Sequence, residues 1–259
     1  MSDHPIERIE DSVVIVSDIH LQSENDERGV LFLQLLASIT PGKVRHLVLL
    51  GDIFDFCFGA SAYFQKKFAK IGETLTRLAH EGTEVIFFQG NHEFFLSHLK
   101  WEGVHFVEQK ERILELSFHE KLVFSHGDRV YAPWHYRFYL QFVRSSVAKG
   151  IAKLVPPHLF DRFCLSLALH SRKKGTYKNV PHGSITGAIA KWADQFPGHH
   201  AVVGHFHAPY NIPKIRKDGR ILCLESWDRP NCLCYHDGNF SRLYPEPGKG
   251  FRRKRNINV

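Results

Sequence analysis

The sequence predicts a layered α/β fold interrupted by one helical insertion, and three observations carry that reading. Short apolar runs alternate with segments of helical periodicity, the alternation breaks between residues 129 and 178, and the runs end in Asp, Asn, His and Gly. Strands that alternate with helices build a sheet covered by helices, and ligands then collect beyond the carboxyl ends of the strands. At 259 residues, 43% hydrophobic and 24% charged, the chain has the material for a single domain of this kind over 1–259.

The elements follow in order. Val13–Val16, His46–Leu50, Glu84–Phe88 and Lys121–Phe124 are short runs of Val, Leu, Ile and Phe, the pattern of strands buried on both faces. Between them Arg28–Ile39 and Tyr63–His80 repeat apolar residues at helical spacing, and Phe94–Leu99 reads as a short third helix. Residues 129–184 form the insertion, a cap of two or three helices around Tyr136–Leu154 and His158–Ser171, separated by Pro156-Pro157. A helix near Ser184–Gln195 follows, and the α/β rhythm resumes with the runs Ala201–Val203, Ile221–Leu224, Cys232–His236 and Phe240–Leu243. The end, 248–259, is expected to be a mobile basic tail.

The net charge of +7 is unevenly placed. Residues 129–178 hold ten Lys or Arg against one acid, Asp161, and the last eleven residues hold five Lys or Arg and no acid, so the rest of the chain is acidic. The five cysteines are odd in number and show no C-x-x-C spacing, which suggests neither a disulfide framework nor a cysteine zinc site and leaves them expected as reduced, structural residues. No run of apolar residues is long enough to cross a bilayer, and the start MSDHPIERIED lacks the features of a secretion signal, so a cytoplasmic protein is expected.

Chemistry gathers at the strand ends. These carry Asp18-Ile19-His20, Gly51-Asp52, Gly90-Asn91-His92, Ser125-His126-Gly127-Asp128 and Gly204-His205-Phe206-His207. In extended or turning backbone residues i and i+2 project to one side, which pairs Asp18 with His20 and His205 with His207. Carboxylate and amide oxygens mixed with imidazole suit Mn, Fe or Zn.

This order of blocks, D-x-H, G-D-x-x-D, G-N-H-[DE], H-G-D and G-H-x-H, resembles the calcineurin-like metallophosphoesterase superfamily from about Ser17 to His207. The resemblance implies that fold, a layered sandwich, and a pair of divalent metal ions. Asp18, His20 and His207 would hold one ion, Asn91, His126 and His205 the other, and Asp52 would bridge them. It also implies phosphoester or pyrophosphate hydrolysis, because two-metal sites activate water near neutral pH and clamp the oxygens of an in-line displacement. His92 would then act as a general acid or charge stabiliser at the leaving oxygen, oriented by the Asp55 carboxylate. Asp128 either steadies His126 or fixes a turn.

The insertion adds nine aromatic residues, among them Trp134, Phe138, Phe142 and Phe163, to its positive charge. An apolar face beside cations suits a lipid phosphate and contact with an anionic membrane surface, to which the tail could contribute. Chain length, the place of the insertion and the ending Leu224-Glu225-Ser226-Trp227 are similar to the UDP-2,3-diacylglucosamine pyrophosphatases of lipid A synthesis. These cleave a lipid-linked nucleotide sugar at the inner membrane, typically with manganese. That resemblance implies substrate contacts at Ser171 and Lys174. The chain departs from it at His92, where Arg is usual, and at Pro133-Trp134-His135, where an Asp-rich stretch is usual. A nuclease or soluble nucleotide phosphodiesterase, with the cap as an electrostatic groove for nucleic acid, is the alternative chemistry of the same centre. A non-catalytic protein-binding scaffold is the alternative without chemistry.

Overall fold

The computed structural model describes residues 9–10, 12–116, 120–174, 180–207, 219–246 and 250–253. Its strands are β1 (Val13–Val16), β2 (His46–Leu49), β3 (Cys57–Phe58), β4 (Glu84–Phe88), β5 (Glu93–Phe94), β6 (Val104–Val107), β7 (Arg112–Glu115), β8 (Lys121–Ser125), β9 (His200–Val203), β10 (Ile221–Cys223), β11 (Cys232–His236), β12 (Asn239–Glu246) and β13 (Gly250–Arg253). Its helices are α1 (Glu27–Ser38), α2 (Ala62–Lys67), α3 (Ala69–His80), α4 (Trp134–Val143), α5 (Ser146–Leu154), α6 (Pro157–Lys174) and α7 (His182–Ala193).

Why these runs become buried strands is visible in the alternation of their side chains. Val14, Val16, Leu47, Leu49, Val85 and Phe87 point to one face, where Phe32, Leu35 and Leu36 of α1 and Ile71, Leu75 and Leu78 of α3 cover them. Val13, Ile15, Val48, Ile86 and Phe88 point to the other, against Leu122, Phe124, Val202 and Leu222 of a second sheet. That second sheet turns Val123, Ala201 and Val203 outward onto Ile185, Ile189 and Trp192 of α7. Four layers result, helix, sheet, sheet, helix, and strands apolar on both faces are what the two inner layers require.

The larger sheet has the order β13-β12-β11-β1-β2-β4-β6, and the smaller β10-β9-β8-β7. β1, β2, β4 and β6 run parallel, as do β8, β9 and β10. The ends of β1, β2, β4, β8 and β9 therefore open on one rim, with β3 and β5 pairing just beyond it.

Three local differences from the sequence reading have physical causes. The helix expected over Tyr63–His80 is broken at Phe68, which leaves helical geometry (ψ 31°) and stacks on Phe54 with ring centroids 4.0 Å apart. The helix expected over Phe94–Leu99 shrinks to a single turn at Leu96–His98, because Glu93 and Phe94 pair with Cys57 and Phe58. In the expected tail, Gly250–Arg253 instead form an edge strand, since Phe251 is buried and packs on Trp227. Residues 247–249 and 254–259 lie outside the described set.

The cap comprises α4, α5 and α6. Asp161 on α6, buried, accepts Lys67 Nζ at 2.7 and 2.8 Å and the Tyr63 hydroxyl at 3.0 Å. Beside it Phe160 meets Phe56 and Phe58 edge-on.

Candidate metal centre

The five loops at the rim are shaped so that polar side chains face one point. Asp18 N donates to Gly51 O, His20 N to Asp52 O and Leu21 N to Ile53 O, at 3.0–3.1 Å, so the loops after β1 and β2 run side by side past their strands. The intervening Ile19, Ile53 and Phe206 are buried in the apolar core and anchor each loop. The flanking residues are then held in left-handed backbone: Asp18, His20, Asp52, His205 and His207 have φ of 52–70°. Such φ is uncommon for a side-chain-bearing residue and persists where the surroundings enforce it, typically at functional sites. Gly90 lets the Asp52 carboxylate approach, since a Cβ there would stand 2.1 Å from Asp52 Oδ1.

Among the described residues three groups of ligand atoms emerge, Asp18 with His20 and His207, Asp52 with His126 and His205, and His20 with Asp55 and His92, each within 4.8 Å. His207 Nε2 is 3.2 Å from Asp18 Oδ1 and 3.2 Å from His20 Nε2. His126 Nε2 is 3.2 Å from Asn91 Oδ1 and 3.5 Å from Asp52 Oδ2. Asp52 Oδ2 is also 4.0 Å from His20 Nε2, which puts this carboxylate between the first two groups. All seven side chains expected as ligands are thus brought together from loops far apart in sequence.

Electrostatics suits cations. Asp18 is buried, which disfavours its charge, yet the hydrogen bond and charge of His207 outweigh that and lower its pKa to about 2. Burial opposes the Asp52 charge too, and His126 and His92 overcome it, holding the pKa well below the ordinary value. Burial and the neighbouring His92 keep His20 well below the usual imidazole range, while burial and His126 bring His205 down to about 4, so both present lone pairs. Burial disfavours the charged His126 ring, but Asp52 and Asp18 push its pKa up to about 10: the carboxylates hold a proton where a stronger cation would displace it. Its Nδ1 donates to Leu50 O at 2.8 Å, which turns Nε2 toward the centre. Ionised carboxylates, an amide oxygen and imidazoles converging at one rim fit a pair of divalent ions.

His92 donates from Nδ1 to the Asp55 backbone carbonyl at 2.8 Å, and its Nε2 lies 3.9 Å from Asp52 Oδ2. The orienting partner is therefore the Asp55 carbonyl and not, as expected, its carboxylate. The carboxylate instead accepts Gln22 Nε2 at 3.0 Å and faces His20 Nδ1 at 3.6 Å, because the turn at Asp55 directs the side chain under the loop after β1. Asp128 binds Arg144 Nη2 at 2.9 Å, and the same nitrogen donates to Gly90 O, so Asp128 fastens the cap to the rim. Ser171 and Lys174 fall at the end of α6, where side chains lie outside the described residues.

One functional residue escaped the sequence reading. Glu93 is buried and accepts Asp52 N, Ile53 N, Phe54 N and Gly90 N at 2.7–3.1 Å, tying the loops after β2 and β4 together. Burial and the Asp52 charge push its pKa up to about 8 against those four donors. Its signal was the acidic residue closing G-N-H-[DE].

A family model described as calcineurin-like phosphoesterase matches residues 12–219, which include β1 to β9 and all seven residues expected as ligands. The chain belongs to the calcineurin-like phosphoesterase family. It is accordingly a metal-dependent hydrolase of phosphoester-type bonds with a two-metal centre. Among curated relatives of this phosphoesterase, a UDP-2,3-diacylglucosamine hydrolase of Porphyromonas gingivalis is 26% identical over 251 residues, covering 87% of this chain and 94% of the relative. One of Pseudomonas putida with the same name is 27% identical over 245 residues, covering 90% and 98%. A solved structure of a Vps29 single mutant from Entamoeba histolytica aligns over 93% of this chain and 96% of that one, at 11% identity and a TM-score of 0.42.

Proposed function

We propose that this phosphoesterase cleaves the pyrophosphate of a lipid-linked nucleotide sugar such as UDP-2,3-diacylglucosamine, working with manganese at the cytoplasmic face of the inner membrane. The observation that carries this is the cap. Among the described residues, nine of the eleven large hydrophobic side chains left exposed lie between Trp134 and Phe163, including Trp134 at 74%, Phe138 at 66% and Leu154 at 84% exposure. Isolated exposed apolar residues are ordinary, whereas a concentration of them marks a surface for lipid or protein. Arg144 joins this cap to the rim of the metal centre, so acyl chains and the scissile phosphate can be held by one molecule at once. The names of the relatives point to the same substrate.

In the mechanism, Asp18, His20 and His207 would hold one ion, Asn91, His126 and His205 the other, and Asp52 both. When bound, such a pair neutralises phosphoryl charge and lowers the pKa of water to about 7. The chain's own residues do the rest. Glu93 and Gly90 hold Asp52 in place, and the Asp55 carbonyl keeps the His92 proton on Nδ1 and Nε2 toward the reacting oxygens. As a water oxygen bonds to phosphorus and its proton passes to solvent, the bond to the leaving phosphate breaks, and a doubly protonated His92 held through Nδ1 gives its Nε2 proton to the leaving oxygen.

The manganese-loaded chain should release UMP from UDP-2,3-diacylglucosamine in detergent micelles, with bis-nitrophenyl phosphate cleaved slowly as a generic substrate. Cleavage of single-stranded DNA with steep salt dependence, and none of the lipid, would replace this reading by a nuclease. No cleavage of anything by a chain that binds no metal would favour a scaffold. Reconstitution with Mn, Fe or Zn in parallel ranks the metals.

A further inference from the structure

Behind the loop that carries His126, and touching the five sequence blocks only at Ser125, lies a cavity of about 320 Å³ whose wall is cationic. Lys110, Arg129, Arg137 and Lys191 line it, and Glu111 is its one acid. The positions come from four separate places, the segment before β7, the segment after β8, α4 and α7. Among the described residues Lys110, Arg129 and Lys191 have no carboxylate partner, and Arg137 Nε is engaged by the Ala132 carbonyl alone. Burial and the neighbouring Arg144 cation lower the Arg129 pKa and outweigh the opposing charges of Asp128 and Glu111.

Trp192, 7% exposed, adds an apolar side chain to the wall. Four cations against one carboxylate around a single void call for an anion, and neither a cation nor an apolar group would answer them.

We propose that this cavity is a second anion site, which takes a phosphate monoester group outside the metal centre. A phosphate monoester carries about −1.5 to −2 near neutral pH and three acceptor oxygens, enough to engage two guanidinium forks and a lysine. A single carboxylate would leave most of that wall unmatched. An adjoining void of about 480 Å³ shares Lys110, Arg129 and Arg137 and continues along Leu140, Gln141 and Arg144. The group that bears the phosphate therefore has room beside the cap. The site stands whether or not the lipid substrate proposed above is right.

Binding of inorganic phosphate, of UMP and of a single-stranded oligonucleotide to the full chain, by calorimetry with manganese and again after chelation, tests it. Wild type should keep a binding event after chelation, and Arg129→Glu with Lys191→Glu should weaken that event on the order of tenfold or more, equivalent to about 1.4 kcal/mol. Hydrolysis of bis-nitrophenyl phosphate by the metal-loaded double variant should stay at the wild-type rate, which reports an intact fold. If the double variant loses that activity, the single changes Arg129→Gln and Lys191→Gln carry the same comparison. Tighter binding of UMP than of phosphate identifies a nucleotide as the occupant, and equal binding identifies free phosphate. The proposal is overturned if nothing binds after chelation, if variants bind as wild type does, or if only an oligonucleotide binds.

Discussion

Glu93 shows how much of the centre rests on side chains that never reach it. One carboxylate accepts four backbone N–H groups from two loops, a task an amide cannot repeat because half of it donates. Glu93→Gln should destabilise the fold by about 1–3 kcal/mol, the cost of orphaned buried donors, and slow turnover, as thermal unfolding and phosphodiester hydrolysis would register. Gly90→Ala should displace Asp52 and bring bound metal, counted by elemental analysis, below that of wild type. His92→Ala should keep its metal while turnover falls by on the order of 10²–10⁴, as for loss of general acid–base catalysis; loss of metal would instead make His92 a ligand. At this scale the seven residues expected as ligands were legible because each follows a strand end in the family's order of blocks, with i, i+2 spacing only for Asp18 with His20 and His205 with His207. Asp55 was legible only as a residue, because which of its oxygens meets His92 depends on a turn that spacing does not encode.

The elements divide between those that carry the centre and the one group that covers it. Asp161 is the sole acid in the basic stretch 129–178, and it secures α6 to α2 through Lys67 and Tyr63. Asp161→Ala strands a mostly buried lysine, for which a penalty on the order of 3–5 kcal/mol is typical. That loss should appear as faster hydrogen exchange and proteolysis in 134–174, with β1, β2 and β4 protected as before. Uniform loss of protection across both sheets would contradict the assignment of Asp161 to the cap. Strands apolar on both faces were readable by eye. β6 and β7 were not, since each has solvent on one side or an unpaired edge, leaving mixed sequences such as Val104-His105-Phe106-Val107 and Arg112-Ile113-Leu114-Glu115.

For the molecule as a whole, the centre links halves that the sequence keeps apart. Asp18 and Asp52 follow strands of the larger sheet, whereas His126 and His205 follow strands of the smaller one. Metal binding should therefore stabilise the sandwich across its layers, by about 2.7 kcal/mol at a concentration a hundred times the dissociation constant. Differential scanning calorimetry should show the melting temperature rise with Mn and fall back on chelation, with Asp52→Ala flat throughout. The alternation of strands and helices announced a layered α/β domain. The partition into two sheets did not follow from it, because β11 joins β1 across more than two hundred residues and only the assembled core decides such pairings. The wide apolar surface of α4 to α6 has a practical corollary: in plain aqueous buffer this chain should adsorb to vessel walls and scatter light increasingly as it is concentrated, and a trace of nonionic surfactant should return it to monodispersity.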